Sequence, residues 1–251
     1  MPSEGKVAIV TGGSSGVGRA TCIALANEGF HITVVGTSSE RINETLSVLN
    51  NSATDQSNLC HLGLRLDVTK EADMQEMVSK TMERFGRIDV LVASAGIGKS
   101  SRSDRIIPHP TASLPLEEWN ELLDVNLTGV FLCNRAVLPV MMAQKVGHII
   151  NVGSSNGLRG RAYIPAYAAS KFGVVGFTES LAEEVCAYGI RVQVLFLHLV
   201  ATGLLAAAGQ ARRAEPVMSP QSVAASIVYL VQQPLEAVVV HPHLIPFGVS
   251  W

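Results

Sequence analysis

Short apolar runs alternate with helical segments along most of the chain, and this alternation restricts the fold more than any other feature. The runs read as buried strands are "KVAIVTGG", "HITVV", "LGLRLDV", "IDVLVASAG", "HIINVGS" and "IRVQVLFL", with "AVVVHPHLI" as a last strand. Runs that are apolar throughout are typical of a parallel sheet covered by helices on both faces. The sequence therefore predicts an α/β protein with a doubly wound parallel sheet of about seven strands. No repeat or break in composition divides it, so residues 1–251 are predicted to form a single domain.

The segments between the strands carry apolar residues at helical spacing. The predicted helices cover residues 15–28, 39–49, 69–85, 115–144, 163–188 and 219–232. The third is expected to have Asp67 or Thr69 as its N-cap and Gly86 at its end, and the fourth to be broken or bent near Pro139. Residues 97–114 are rich in Ser and Pro and have no period, which predicts an inserted loop.

The composition excludes several classes of protein. Apolar residues make up 47% and charged residues 16%, which predicts a packed globular chain, and the net charge of −2 argues against a nucleic-acid binder. The four cysteines lie far apart, and neither they nor the seven histidines have metal-ligand spacing, so free thiols and no metal site are predicted. The N-terminus lacks a signal core, and no window approaches the ~20 apolar residues that cross a bilayer. We therefore expect a soluble, cytoplasmic protein without a membrane span.

A glycine-rich turn, "TGGSSGVG", follows the first predicted strand and opens the first predicted helix. Glycines let the backbone approach a ligand closely, and a helix N-terminus presents unpaired N–H groups to a phosphate. The glycines Gly12, Gly16 and Gly18 depart from the common GxGxxG spacing, and such a turn alone is either a phosphate site or only a tight connection. Its place at the start of a βαβ series favours a dinucleotide site.

The end of the second strand predicts which dinucleotide binds. An NAD site usually has an acidic residue about 20 residues after the glycine turn, where it binds the ribose 2′-hydroxyl. Here Gly36, Thr37, Ser38 and Ser39 occupy that place, so no carboxylate would repel a 2′-phosphate. NADP(H) is therefore favoured, with NAD(H) as the alternative. Arg41 is the nearest cation. It either binds the 2′-phosphate or is only a solvated charge on the surface of a helix.

Tyr167 and Lys171 are four residues apart in "YIPAYAASK", so a helix would place the phenol and the ammonium on one face. A nearby cation favours the phenolate, so the pKa of Tyr167 is expected to fall toward working pH. This would make Tyr167 a proton donor to a substrate oxygen. Taken alone, such a pair is more often a contact on a helix surface.

Taken in order, these motifs resemble those of the short-chain dehydrogenase/reductase family over residues 5–202, and more loosely to the end. The family pattern TGxxxGxG matches "TGGSSGVG", the acid that faces the adenine matches Asp67, and the helix-four asparagine matches Asn126 in "DVNLTGVF". The Ser-x12-Tyr-x3-Lys pattern is met by Ser154, Tyr167 and Lys171. The resemblance implies a Rossmann-type fold and the activity of a 3-oxoacyl reductase or another carbonyl reductase.

What the resemblance implies is hydride transfer between C4 of a nicotinamide and the carbon of a carbonyl or secondary alcohol. Tyr167 would donate the proton, Ser154 would hold the substrate oxygen, and Lys171 would lower the pKa of Tyr167 and bind the nicotinamide ribose. Asn126 would hold a water that links Lys171 to solvent. The residues expected to contact the cofactor are Gly12, Ser14, Ser15, Gly16, Val17, Gly18, Thr37, Ser38, Asp67, Val68, Ala93, Ala95, Gly96, Tyr167, Lys171, Val200 and Thr202.

The resemblance also implies a partner and an assembly. The partner is a small-molecule carbonyl or alcohol, and the helices at 115–144 and 163–188 pair between subunits in the family, which implies a homodimer or homotetramer. Two other functions share the scaffold. One is a dinucleotide-binding sensor or scaffold with weakened catalysis, and the other is an isomerase or epimerase that retains its nicotinamide.

Several positions depart from the family pattern. Ala93 and Ser94 replace an Asn-Asn pair that braces the central strand, and Ser155 next to Ser154 takes a small-residue position with a structural role. Leu197 and His198 replace Pro-Gly, so His198 crowds the cofactor, faces the substrate or only packs.

Two segments are expected to border the substrate. Residues 199–218 correspond to the substrate lid, whose Arg212 and Arg213 either bind an anionic substrate tail or are simply exposed. The inserted loop at 97–114 either shapes the mouth of the pocket or decorates the surface. Its basic residues are Lys99, Arg102, Arg105 and His109.

Overall fold

The computed structural model describes residues 5–51, 59–103, 109–207, 216–234 and 236–249. In these residues seven strands form one parallel sheet in the order β3-β2-β1-β4-β5-β6-β7. The strands are β1 (Val7–Thr11), β2 (His31–Gly36), β3 (His61–Arg65), β4 (Val90–Ala93), β5 (Gly147–Val152), β6 (Ile190–Leu197) and β7 (His243–Leu244). The predicted doubly wound parallel sheet is confirmed. Its order reverses between β1 and β4, the place where open α/β sheets bind ligands.

Helices cover both faces of the sheet. They are α1 (Gly16–Asn27), α2 (Ser39–Asn51), α3 (Glu71–Phe85), α4 (Leu116–Leu123), α5 (Gly129–Gln144), α6 (Pro165–Val185), α7 (Gly203–Ala207) and α8 (Pro220–Val231). Neighbouring β1 residues Ile9 and Val10 point to opposite faces, and both are completely buried. Val10 packs in one core with Leu25 of α1 and Ile227 of α8, and Ile9 packs in another with Val137 of α5. Burial on both faces explains why the strands are apolar throughout.

The start of α3 differs from both expected N-caps. The cap position is Lys70, and the Asp67 carboxylate instead accepts hydrogen bonds from the backbone N–H (3.0 Å) and hydroxyl (2.8 Å) of Thr69. Asp67 and Thr69 therefore stabilise the turn that leads into the helix. Gly86 ends α3 in the left-handed region with φ of 73°, as predicted.

The long apolar helix predicted at 115–144 is interrupted elsewhere than expected. A π-helical turn, Asp124–Thr128, joins α4 to α5, whereas α5 continues through Pro139, so the expected break at that proline is wrong. Packing of α5 against β4, β5 and α3 holds it in place despite the missing N–H. By length and composition Leu116–Gln144 would also suit a membrane span, but 44% of its most apolar window is buried in the fold, as in the core helix of a globular protein.

The start of α6 and the length of the last strand also differ from the sequence prediction. α6 begins at Pro165 and not at residue 163, because Tyr163 has φ of 66°, outside the helical region. The last strand is shortened to His243–Leu244. Arg191 of β6 donates to the carbonyls of Gln233, Pro234 and Ala237. Its side chain therefore holds the C-terminal segment where a longer run of strand-to-strand hydrogen bonds was expected.

Candidate active site

The carboxyl ends of β1, β4, β5 and β6 border a cleft with two connected parts. The larger part, here called the catalytic cavity, has a volume of about 790 Å³. The predicted site residues that line it are Gly12, Ser15, Gly16, Val17, Gly18, Ala95, Gly96, Ser154, Tyr167, Lys171, Val200 and Thr202. The second part, the outer recess of about 700 Å³, adds Ser14, Thr37, Ser38, Asp67 and Val68. Ala93 and Asn126 are buried behind the wall and line neither part.

The glycine turn between β1 and α1 has a backbone that suits only glycine. Gly12 and Gly16 have φ of 67° and 49°, in the left-handed region. A Cβ on Gly18 would overlap the carbonyl of Gly12 and lie 2.7 Å from Ser94 Oγ. The turn therefore brings bare backbone at the N-terminus of α1 to the cleft, and this cradle fits the pyrophosphate of a dinucleotide.

Ser94 joins the two central strands where the family has asparagine. Its hydroxyl donates to the carbonyl of Thr11 at 2.5 Å, and the backbone N–H of Ala95 donates to Thr11 Oγ1 at 3.4 Å. The ends of β4 and β1 therefore remain braced. Thr202 reaches the same turn from the other side, because a Cβ on Gly16 would lie 3.2 Å from its methyl carbon.

Ser154 lies directly after β5, in the wall of the catalytic cavity, and is buried. Its hydroxyl accepts a hydrogen bond of 3.1 Å from the backbone N–H of Asn156, and it lies close enough to the hydroxyl of Tyr167 to influence the pKa of that phenol. The structure thus brings together the serine and the tyrosine that the spacing paired.

The adjacent Ser155 has different partners. Its Oγ lies 3.3 Å from the carbonyl oxygen of Leu197, to which it donates, and 2.9 Å from Nε2 of His243. These bonds fasten the turn after β5 to β6 and β7. They agree with a structural role for this residue.

Tyr167, in the first turns of α6, has a pKa that differs from the expected one. Burial raises its pKa, and the Ser154 hydroxyl opposes that rise. The expected fall is therefore wrong for this structure, because removal of the phenol from water outweighs the effect of Ser154. The phenol is protonated at neutral pH, as a proton donor must be.

Lys171 lies one turn after Tyr167 and is almost completely buried. Its Nζ donates a hydrogen bond of 2.9 Å to the carbonyl of Val152 and lies 5.9 Å from the centroid of the Tyr167 ring. Burial lowers the pKa of Lys171 to about 8. The ammonium is thus held between the end of β5 and the tyrosine.

Asn126 lies in the π-helical turn, and its amide group holds the chain after β4. Oδ1 accepts from the backbone N–H of Ile97 at 2.8 Å, and Nδ2 donates to the carbonyl of Ile97 at 2.9 Å and to Ser170 Oγ at 3.3 Å. The side chain thus connects the start of the inserted loop with α6. Its role in a proton relay stays a prediction.

Beside the outer recess, in contact with Thr37, lies a cation that sequence reasoning missed. Arg65, at the end of β3, pairs with Gly36 in the strand register, and its Nε donates to the carbonyl of Thr37 at 3.3 Å. Arg41 lines both the recess and the catalytic cavity, and its backbone N–H donates to Ser38 Oγ at 3.4 Å. The neighbouring-strand register was the missing information, since Arg65 is far from Thr37 in sequence.

His198 lies in the wall of the catalytic cavity, at the end of β6. Its backbone N–H donates to the carbonyl of Leu244 at 3.0 Å, which attaches this end to β7. A position in the cavity wall favours contact with cofactor or substrate over simple packing.

The inserted loop is anchored to α4 at two points. The hydroxyls of Ser100 and Ser101 donate to the carboxylate of Glu121, and His109 Nε2 lies 3.5 Å from Glu118 Oε1. Arg105 of this loop lies outside the described residues. In the substrate lid the structure describes α7, whereas Arg212 and Arg213 lie outside the described residues. In the part of the chain that the structure describes, no group of three or more His, Cys, Asp or Glu is arranged to hold a metal ion.

Comparison with known proteins gives consistent matches. The family model described as short chain dehydrogenase matches residues 6–213. The chain is 32% identical over 243 residues to a 3-oxoacyl-[acyl-carrier-protein] reductase of Synechocystis sp., covering 92% of this chain and 91% of the relative. It is 39% identical over 191 residues to a levodione reductase of Leifsonia aquatica, covering 76% of this chain and 67% of the relative.

Among solved structures, a levodione reductase superposes with a TM-score of 0.86 at 30% identity, covering 96% of each chain. A second, a crystal structure titled gox2181, superposes with a TM-score of 0.84 at 27% identity, covering 96% of this chain and 94% of the other. The family match, the relatives and the cleft lead to one conclusion. The chain belongs to the short chain dehydrogenase family and is an NAD(P)-dependent oxidoreductase that acts on CH–OH and C=O groups.

Proposed function

We propose that this enzyme is an NADP(H)-dependent carbonyl reductase in which Tyr167 is the general acid. The observation that carries the proposal is that Ser154, Tyr167 and Lys171 lie together in the wall of the catalytic cavity, with the Ser154 hydroxyl close enough to the phenol to influence its pKa. A carbonyl oxygen placed between these hydroxyls would receive a hydrogen bond from each. The glycine turn opens onto the same cavity, so cofactor and substrate would meet there.

The dinucleotide, when bound, supplies a hydride from C4 of its nicotinamide. Negative charge then grows on the substrate oxygen, and the hydroxyls of Ser154 and Tyr167 stabilise it. The phenol of Tyr167 is protonated at neutral pH because burial raises its pKa, so it has a proton to give. The ammonium of Lys171 stabilises the phenolate that remains. In the reverse direction Tyr167 would take the proton of an alcohol.

The preference for NADP(H) is supported by the residues around Thr37, at the end of the outer recess away from its acidic residues Asp67, Glu117, Glu121 and Asp124. Thr37 and Ser38 offer hydroxyls without a carboxylate, Arg41 lines the recess, and the guanidinium of Arg65 donates to the carbonyl of Thr37. Guanidinium groups bind phosphate through paired N–H donors, which suits a 2′-phosphate.

The assembly and location are part of the same proposal. We infer a homodimer or homotetramer formed through α5 and α6, where the partly exposed Phe131 and Phe172 lie, and a cytoplasmic location like that expected for such reductases. Sedimentation equilibrium of the purified chain tests the assembly, and a monomer at all concentrations would contradict it.

Fluorescence titration with NADPH and NADH is the first test of function. We expect both to bind, with NADPH the tighter. Turnover is then measured with NADPH against ketones, quinones and 3-oxoacyl thioesters, and reduction of at least one class is expected. If dinucleotide binds but no carbonyl is reduced, the sensor or scaffold alternative replaces the reductase.

A further inference from the structure

The wall of the catalytic cavity has a charge opposite to that of the whole chain. The protein has 21 acidic and 19 basic residues, yet the cavity is lined by Arg41, Lys99, Arg161 and Lys171 and by no Asp or Glu among the described residues. Cations facing a concave surface concentrate a positive potential within it. A cavity of this kind favours anionic ligands.

Two of these four cations are already assigned. Lys171 donates to Val152 beside Tyr167, and Arg41 lies at the junction with the outer recess, where the 2′-phosphate is proposed to bind. Lys99 and Arg161 remain. Lys99 is half-buried in the loop after β4, and Arg161 is exposed on the segment that leads into α6, so it lies toward the mouth.

Neither Lys99 nor Arg161 has a hydrogen-bond or ion-pair partner for its head group in the described residues. The carboxylate of Glu121 instead accepts hydrogen bonds from the hydroxyls of Ser100 and Ser101 and from the backbone N–H of Ser101. The serines thus fix the loop to α4 while the charge of Lys99 stays available to the cavity.

The two cations come from segments that the fold holds close to the reacting groups. Lys99 follows Ile97, whose backbone is held at both its N–H and its carbonyl by Asn126. Arg161 is six residues before Tyr167, and Pro165 starts α6 between them. At Lys99, this held backbone gives a charge-assisted contact more of its strength, because less freedom is lost on binding.

We propose that the substrate of this reductase carries an oxyanion, a carboxylate or a phosphate, that binds to Lys99 and Arg161 while its carbonyl group lies at Ser154 and Tyr167. This inference rests on the proposed function and adds the chemical class of the substrate. Hydrogen bonds between a cation and an oxyanion are about twice as strong as neutral ones, so they can orient the carbonyl by holding the far end of the molecule.

The test compares matched pairs of substrates with NADPH. One series contains oxo acids of increasing length and their methyl esters, and a second contains hydroxyketone phosphates and the free hydroxyketones. In the wild type, kcat/KM for at least one anion is expected to exceed that of its neutral partner about tenfold, a difference of about 1.4 kcal/mol. The series that shows the preference distinguishes carboxylate from phosphate.

Charge-removing variants locate the effect. Lys99→Met and Arg161→Met keep an apolar stem and should each reduce the anion preference severalfold or more, while kcat/KM for the neutral partner stays near the wild-type value. Arg159→Met is the matched control, since Arg159 is an exposed arginine two positions away that does not line the cavity. Arg159→Met should leave the ratio of kcat/KM for the anion to that for its neutral partner unchanged.

A second readout needs no turnover. Saturated acids and alkyl phosphates of the same lengths as the substrate series are titrated into the protein with NADP⁺ by calorimetry, and the Kd of the best binder should rise in both Met variants and with added salt. Equal or better turnover of the neutral partners in the wild type would overturn the inference while leaving the reductase intact. An equal loss in Arg159→Met would also overturn it. If no carbonyl is reduced at all, the proposed function fails, and the calorimetric titration alone then decides whether the anion site exists.

Discussion

The two ends of the cleft are built in opposite ways. At the catalytic end, Ser154 and Lys171 are only 7% and 6% exposed, and each has a backbone partner at 3.1 Å or less. At the recess end, Thr37, Arg41 and Arg65 are exposed, and the bonds from Arg41 N–H to Ser38 Oγ and from Arg65 Nε to the Thr37 carbonyl are 3.3–3.4 Å long. Burial therefore tunes the groups proposed to do the chemistry, whereas the proposed cofactor preference would depend on solvated charges that a single substitution can alter. Changes at the first end should have large effects and changes at the second smaller ones.

The largest effect is expected at the catalytic end, from Tyr167→Phe. The variant keeps the ring and removes the proton donor, so kcat should fall by about 10²–10⁴, the usual contribution of a general acid. Affinity for NADPH, measured by fluorescence, should stay close to that of the wild type. A variant with full turnover would show that another group supplies the proton.

The glycine turn provides the next test, because it connects the two ends. Gly18→Ala places a methyl group against the Gly12 carbonyl and Ser94 Oγ, both of which are fixed in the strand ends. We expect it to destabilise the fold by about 3 kcal/mol, because the methyl group would overlap the Gly12 backbone, and to weaken NADPH binding. Chemical unfolding and dinucleotide titration measure the two effects.

The control for that substitution is Gly160→Ala, because a Cβ at Gly160 would meet no atom within 4 Å. It should change the free energy of unfolding by a few tenths of a kcal/mol at most. Similar losses of unfolding free energy in the two variants would mean that the turn does not depend on the close approach of Gly18 to the Gly12 carbonyl.

The pH dependence of the free energy of unfolding should distinguish the buried Lys171 from an exposed cation such as Arg41. Burial lowers the pKa of Lys171 to about 8, from 10.5, so between these values the unfolded chain binds more protons than the folded one. The free energy of unfolding of the wild type should therefore rise relative to Lys171→Met by on the order of 2 kcal/mol between about pH 7 and about pH 9.5.

Arg41→Met is the control in this experiment, since a guanidinium does not titrate in that range. Its difference from the wild type should be flat with pH. A flat difference for Lys171→Met as well would show that Lys171 keeps an ordinary pKa in the folded protein.

The same contrast explains what the sequence could and could not predict. The parallel sheet and its strands follow from continuous apolar runs that alternate with helical segments, which are local properties of the chain. The glycine turn and the Ser154, Tyr167 and Lys171 set follow from fixed spacings. These features need no knowledge of which distant residues come together.

Three differences from the sequence prediction depend on distant contacts. The pKa of Tyr167 rises because the fold buries it, and the helical spacing to Lys171 carries no information about burial. Arg65 reaches Thr37 across neighbouring strands. The last strand is short because Arg191 binds carbonyls of the C-terminal segment through its side chain.

The smallest effect is expected at the recess, from Thr37→Asp. The new carboxylate would repel a 2′-phosphate and accept hydrogen bonds from a ribose 2′-hydroxyl, as the acid of an NAD site does. The ratio of kcat/KM with NADPH to that with NADH should fall about tenfold, which is about 1.4 kcal/mol. The unfolding midpoint should hardly change, because residue 37 is exposed.

Ser39→Asp separates a local contact from a general change of charge. It adds the same charge two residues away, at an exposed position that does not line the recess, and there it should move the ratio much less. Because exposed charges are screened within about 10 Å at 0.1 M salt, added salt should reduce any effect of Ser39→Asp while much of the effect of Thr37→Asp persists. Equal shifts in the two variants would place the 2′-phosphate elsewhere and would leave Arg41 and Arg65 as ordinary surface cations.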